Sequence, residues 1–240
     1  FAVHRHPLSV SEIAGALAIP QSSSSVLLQA LSGAGFIARD RRTRKYLPSI
    51  RSVFLGNWIH DALFPGGSLL ATLDGLARDA DASVRIGLRS GLHVQYVHVS
   101  WPGAEPETGA LGPGVKVPIC RDAVGRVLLA AEDDASARDI MRHANAVGDS
   151  HDIVDVEMMM REVRRARTDG FAETPDVFEP GDRALAMALP PQFGISAAIS
   201  LGVPVERAAR GRDALLDMLG TVVAHCWPRA RDRKFDVASG

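Results

Sequence analysis

Two groups of side chains in the first fifty residues have the types and spacing to meet a polyanion. "QSSSSV", Gln21 to Val26, sets an amide and four hydroxyls in one run. "RDRRTRKY", Arg39 to Tyr46, gathers five cations around a single acid, Asp40. Hydroxyls and amides bond phosphate oxygens and base edges, while guanidinium and ammonium groups neutralise phosphates. A third group, "VPICRDAVG", Val117 to Gly125, places Arg121 and Asp122 at the start of a helical pattern rich in small residues. Helix N–H groups beside a guanidinium make an anion site. The competing role is structural, with Asp122 as the helix N-cap and Arg121 as its surface neighbour. Cys120 with His93 or His98 supplies the types for a thiol nucleophile and its base.

The first two groups need elements to present them. Ser9 and Glu12 have capping-box spacing, which predicts a helix from about Val10 to Ala18. Ala18-Ile19-Pro20 turns the chain, and Pro20 suits the first position of a second helix ending at Gly33/Gly35. Val26, Leu27, Leu28 and Leu31 read as its buried stripe, with the serines on its outward first turns. Two short strands around Phe36–Ala38 and Leu47-Pro48 flank the basic string as a hairpin. The arrangement is a winged helix-turn-helix. Its second helix would enter the major groove of double-stranded DNA, with Gln21, Ser22, Ser23 and Ser25 at base edges or phosphates. Arg41, Arg42, Arg44 and Lys45 would form the wing on the flanking phosphates. One such helix covers few base pairs, so a two-fold homodimer is expected.

Charge distribution agrees. The 240 residues carry a net charge of −1, but seven cations against Glu12 and Asp40 give the first 60 residues a balance of +5. The remainder holds −6, so the nucleic-acid-like character is confined to one end. Two cysteines far apart in sequence argue against a disulfide framework and for the reducing cytoplasm. No apolar run approaches the ~20 residues that cross a bilayer, and no membrane contact is expected.

Beyond the hairpin, residues 50–64 have helical spacing (Val53, Phe54, Trp58, Ile59) and form either a dimer seam or a packing arm between units. "SVRIGLRSGLHVQYVHV" alternates as a hairpin around Ser90-Gly91, and Ala184–Leu189 and Ile195–Val203 flank "PPQFG" as another. Helical patterns cover Leu69–Ala80, Ala123–Ala131, Asp155–Thr168 and Glu206–Trp227. The expected layout is a DNA-binding domain over residues 1–48, a linker helix over 49–66, a larger domain over 67–227 and a disordered tail over 228–240.

"PLSVSEIAGALAIPQSSSSVLLQALSGAGFIARDRRTRKYLP", "VPICRDAVGRVLLAA" and "VRRARTDGFAETPDVFEPGDRALAMALPPQFGISAAISLGVP" together resemble the IclR-type bacterial transcriptional regulators. The resemblance spans about Pro7 to Ala224, with the three segments in the family's order. Departures are Val26, where the family usually has Arg in the recognition helix, Cys120, where it usually has His, Arg121 and Asp122, where it usually has a small residue and Thr or Ser, and the wing end Tyr46-Leu47-Pro48-Ser49, where it has "Y-LG". The resemblance implies an α+β protein: a winged helix-turn-helix followed by a GAF-like effector domain with a twisted antiparallel sheet. It also implies a dimer, or a dimer of dimers, that controls a catabolic operon. Together with the anion site it leads to a small organic acid as effector. That ligand is expected near Arg121, Asp122, Ala123, Val124, Thr174, Asp176, Ala184, Ala186 and Ser200.

The alternative function is a thiol-dependent hydrolase using Cys120. The sequence has no nucleophile elbow, phosphate loop, HExxH or closely spaced Cys/His set, so neither catalysis nor a metal or other cofactor is expected. His93 and His98, five apart on a strand, are expected to face opposite sides of a sheet.

Overall fold

The computed structural model describes residues 1, 4, 6–49, 52, 69–104, 111–190 and 196–226. The expected linker helix with Val53, Phe54, Trp58 and Ile59, and the expected tail over 228–240, lie outside the described residues. The chain divides into two compact units, residues 1–66 and 67–240.

In the first unit, α1 (Val10–Leu17) begins on a reciprocal cap. Ser9 N donates to Glu12 Oε2 at 2.6 Å, and Glu12 N donates to Ser9 Oγ at 3.3 Å. Ala18 then takes a left-handed conformation, φ 52°, which ends the helix and sets up the turn. Pro20 stands at the N-cap of α2 (Gln21–Gly33) rather than at its first helical residue. Strands β1 (Ile37–Arg39) and β2 (Tyr46–Pro48) pair antiparallel, and Leu8 bridges to Tyr46 as a single-residue third strand. Leu8, Ile13, Leu28, Ile37 and Tyr46 close a small core beneath this helix-turn-helix and wing.

The expected apolar stripe on α2 needs correction. Leu28 is buried and Leu31 half-buried, but Val26 is 67% exposed and Leu27 43% exposed. The inward row is Ser24, Leu28 and Leu31, at the i, i+4, i+7 spacing of one helical face. Ser24 is fully buried, and its hydroxyl donates to Pro20 O at 3.2 Å, so one of the four serines belongs to the core.

The second unit is built on one antiparallel sheet in the order β5-β4-β3-β8-β7-β6. Its strands are β3 (Ser83–Ser90), β4 (His93–Ser100), β5 (Lys116–Pro118), β6 (Phe171–Pro175), β7 (Asp182–Ala188) and β8 (Ala197–Pro204). The helices are α3 (Leu69–Ala80), α4 (Ala123–Ala130), α5 (Asp134–Val147), α6 (Val156–Asp169) and α7 (Val205–Cys226). Register sorts the sheet into two faces. Val84, Leu201 and Leu185 share a row on one side, as do Ile86, Ile199 and Met187. Helices α3 and α7 contact the sheet from one layer, while α4 crosses β6, β7 and β8 on the other and itself packs on α6.

Two glycines mark close approaches. A Cβ at Gly125, in α4, would lie 1.7 Å from Ile119 O. A Cβ at Gly202, on β8, would lie 2.1 Å from Arg85 Nη2. Gly125→Ala therefore forces α4 away from the strand that precedes it and should destabilise by about 2–3 kcal/mol or more, as overpacking does. Urea denaturation of the full chain measures this. A loss below about half a kcal/mol, within the noise of ordinary surface changes, would contradict the close contact.

Candidate functional site

The face of the sheet under α4 is floored by small and polar residues. Arg85, Ser200, Ala186 and Ala172 form one cross-strand row, and Ser83, Gly202, Ala184 and Thr174 form the next. Small side chains in both rows leave room for Arg85, which is 1% exposed and the largest fully buried side chain among the described residues. Gly202 is where that guanidinium passes. Arg85 Nη2 lies 2.6 Å from Asp176 Oδ2, with both side chains at most 1% exposed, and Arg85 Nε donates to Ser83 Oγ at 3.1 Å. The Nη2–Oδ2 contact is poorly aligned for a hydrogen bond, so it acts as an ion contact.

Asp176 follows β6 and is held by its own loop. Phe178 N donates to its Oδ1 at 2.8 Å, and Asp176 N donates to Asp182 O. The Phe178 ring covers the cluster, 5.2 Å from the Arg85 guanidinium and edge-on to Tyr96 at 5.3 Å. Tyr96 OH donates to Asp122 Oδ2, and Gly125 N donates to Asp122 Oδ1 at 2.8 Å. Burial pushes both acids up, Asp122 above the usual carboxylate range and the Tyr96 phenol further above its own, so Tyr96 stays a donor. Two hydroxyls on the same face, Thr174 Oγ1 and Ser200 Oγ, are buried without a hydrogen-bond partner. Orphaned buried hydroxyls are uncommon in native proteins and carry a desolvation cost that an incoming acceptor relieves.

Of the expected effector residues, Asp122, Ala123, Val124, Thr174, Asp176, Ala184, Ala186 and Ser200 are all buried in this region. Arg121 is not with them. Its side chain is 45% exposed and pairs with Asp152 at 3.2 Å. The open helix N-terminus expected as an anion site is also closed, because Asp122 caps α4 with its own carboxylate. The cation on this face is Arg85, which alternation along β3 disguises as a solvent-facing residue.

Cys120 is 3% exposed, and burial pushes its thiol up to about 11, leaving it neutral near physiological pH. His93 and His98 do not oppose each other across the sheet. His93 pairs with Ser90 and His98 with Ile86, and a register shift at Val97 returns both to the same side. His98 Nε2 lies 2.8 Å from Ser100 Oγ, which donates to Asp74. No nucleophile–base pair forms among these residues.

In the first unit, Gln21, Ser22 and Ser23 are exposed and Ser25 is half-buried, alongside outward Val26 and Leu27. Arg41, Arg42 and Arg44 are exposed on the wing turn, where Asp40 Oδ1 accepts from Arg42 N at 2.7 Å and Thr43 N at 2.9 Å. Those bonds hold the Asp40 carboxyl below its ordinary range. Lys45 is instead tied to α1, 3.4 Å from Glu12. The Ser9 cap bonds, with help from Lys45, lower the Glu12 carboxyl to about 2.

Such a molecule belongs to the class of regulators that join a helix-turn-helix head and a sheet-built sensing unit in one chain. Residues 68–225 match the family model described as bacterial transcriptional regulator IclR C-terminal. The chain belongs to the IclR family of bacterial transcriptional regulators. It is 24% identical over 212 residues to the Pca regulon regulatory protein of Pseudomonas putida, covering 88% of this chain and 72% of that one. An IclR transcriptional regulator from Alicyclobacillus acidocaldarius superposes with a TM-score of 0.70 at 23% identity over 94% of each chain. An IclR homolog from Microbacterium hydrocarbonoxydans, solved in complex with 4-hydroxybenzoate, gives 0.66 at 16% identity over 95% of this chain and 92% of its own.

The buried pair makes a sharp energetic prediction. Arg85→Met or Asp176→Leu alone should cost about 3–5 kcal/mol, because each strands its partner in a dry interior. Arg85→Met combined with Asp176→Leu should cost less than either single change. Denaturant unfolding of the full chain measures the cycle, and additive losses would show that the two side chains do not interact. Separately, Cys120 should resist iodoacetamide at pH 8 in the folded protein and react once it is unfolded. Rapid native labelling would mean that the thiol is activated after all.

Proposed function

We propose that the protein is an effector-responsive repressor or activator whose first unit binds operator DNA and whose second unit senses a small carboxylate. The observation that carries the sensing half is the closed cluster of Arg85, Asp176, Thr174 and Ser200. An incoming carboxylate takes the place of Asp176 on Arg85, and the two free hydroxyls donate to the rest of the ligand. One carboxylate for another leaves the buried charge balance unchanged, which a dianion would not. Release of Asp176 frees Phe178 and the loop leading into β7, so the exchange converts ligand chemistry into movement. The 4-hydroxybenzoate bound by the Microbacterium relative and the Pca regulon control of the Pseudomonas one support an organic acid and a catabolic operon. A polar but neutral effector would leave Asp176 in place.

For the DNA half, Gln21, Ser22, Ser23 and Ser25 approach the major groove, and Arg41, Arg42, Arg44 and Lys45 follow the backbone. The protein works as a homodimer, or a dimer of dimers, in the cytoplasm, so that two heads read two half-sites. Effector binding then shifts the population of head spacings that fit the operator.

A gel shift against DNA from the protein's own upstream region tests this reading. Replacing Arg41, Arg42 and Arg44 by Ala should weaken binding and flatten the salt dependence by about 0.9 in slope for each phosphate no longer neutralised. Lys45→Ala should matter less, since Glu12 already engages that ammonium. A wild-type protein indifferent to this DNA at low salt, or wing variants with an unchanged slope, would contradict the assignment.

A further inference from the structure

At the β6 edge of the sheet, four arginines from four elements border a single cleft of about 340 Å³. They are Arg126 on α4, Arg165 on α6, Arg183 on β7 and Arg212 on α7, and they share the cleft with Glu162, Asp169 and Glu173. Arg165 Nε donates to Asp169 Oδ2 at 3.2 Å, and Arg212 Nε reaches Asp213, just outside the lining, at 3.4 Å.

The pairing is incomplete by geometry. Glu173 serves two cations: Arg183 Nε donates to its Oε1 at 2.9 Å, and Arg212 Nη1 stands 3.9 Å from its Oε2, beyond hydrogen-bond reach. Arg126 Nε lies 2.8 Å from Glu162 Oε2, yet this buried N–H is not aligned to donate to it. Glu162 itself is 47% exposed, so solvent competes for it. Burial pulls the Arg126 guanidinium below its ordinary range, and its Nη1 donates to Glu173 O at a long 3.5 Å. Each guanidinium offers five N–H donors, and those of Arg183 and Arg212 have more capacity than Glu173 and Asp213 can fill. Phe171 adds an apolar wall, with the Arg212 guanidinium 6.0 Å from its ring centroid, and Pro175 extends it.

We propose that this cleft is a second anion site, independent of the Arg85 cluster, which takes a small oxyanion, carboxylate or phosphate, across Arg126, Arg183 and Arg212. The oxyanion supplies the acceptors that Glu173 cannot, and an attached flat apolar group lies against Phe171 and Pro175. Its occupancy ties α4, β7 and α7 together at the sheet edge.

The test is calorimetric titration of the full chain with inorganic phosphate, acetate and benzoate. Phosphate or benzoate should bind at millimolar concentrations, and benzoate tighter than acetate if the wall contributes. The Arg183→Gln and Arg212→Gln variants lie at the surface side of the cleft, and thermal melts establish that they fold. Each should weaken the cleft's binding by about tenfold or more, as expected when a charge-assisted hydrogen bond is removed. The Thr174→Val/Ser200→Ala variant, altered only in the other cluster, should leave this binding intact. Phosphate heats that persist in both arginine variants or vanish in the Thr174/Ser200 variant, or the absence of heat with all three anions, would overturn the proposal.

Discussion

The second unit is organised around a charge that has nowhere to go. Arg85 enters the sheet from its central strand, and the sheet is covered on both faces, so the guanidinium has no path to water. An isolated charge there would cost many kcal/mol, and Asp176 is what makes the arrangement tenable. Much else follows. Gly202 must lack a side chain, Ala184 and Ala186 must stay small, and the chain after β6 must fold back far enough to deliver the carboxylate. Phe178 then closes the assembly because its backbone N–H is bonded to that same carboxylate. A buried pair of this kind seldom adds stability over an apolar replacement. The exchange proposed above would give the pair a role, since a carboxylate that is only tethered can be replaced by one that diffuses in.

The head depends on a different constraint, the helical period. In thirteen residues α2 must keep one face for a core of five buried side chains and leave the other outward. Ser24 falls on the core face, gives its hydroxyl to Pro20 O, and lets Leu28 and Leu31 do the packing. Ser22, Ser23 and Val26 fall outward. A valine two-thirds exposed at this position, where the resemblance would place an arginine, makes the outer face of α2 less charged.

Parts of this were legible before any coordinates. The capping box at Ser9 and Glu12, the turn at Pro20 and the two hairpins announce themselves through short-range chemistry that tertiary structure has no reason to override. The floor of the cluster was legible in part, because Ala186 and Ser200 sit at positions that the family resemblance aligns. Arg85 was not. "SVRIGLRS" alternates as a half-buried strand does, and alternation assigns its polar residues to solvent only when one face of a sheet is open. The stripe on α2 failed for a related reason, since four consecutive serines give no periodic signal and Val26 and Leu27 look like core by type alone. Helix α5 hides its narrow apolar face, Ala137, Met141 and Ala144, beneath a highly charged surface. Strand β6 is five residues long, carries Glu173 and ends in Pro175, which is tolerable only at a sheet edge. The rotation of His98 rests on one extra residue in β4, and no pattern in the sequence marks it.

The central claim is that an organic acid trades places with Asp176 on Arg85. It is tested most directly by carboxyl carbon-13 NMR of aspartate-labelled full chain, titrated with 4-hydroxybenzoate, with Asp176→Asn assigning the signal. The account predicts that the Asp176 resonance moves saturably from its buried, ion-paired position toward that of a solvated aspartate as the acid binds. An acid that binds and alters DNA affinity while that resonance stays fixed would contradict it.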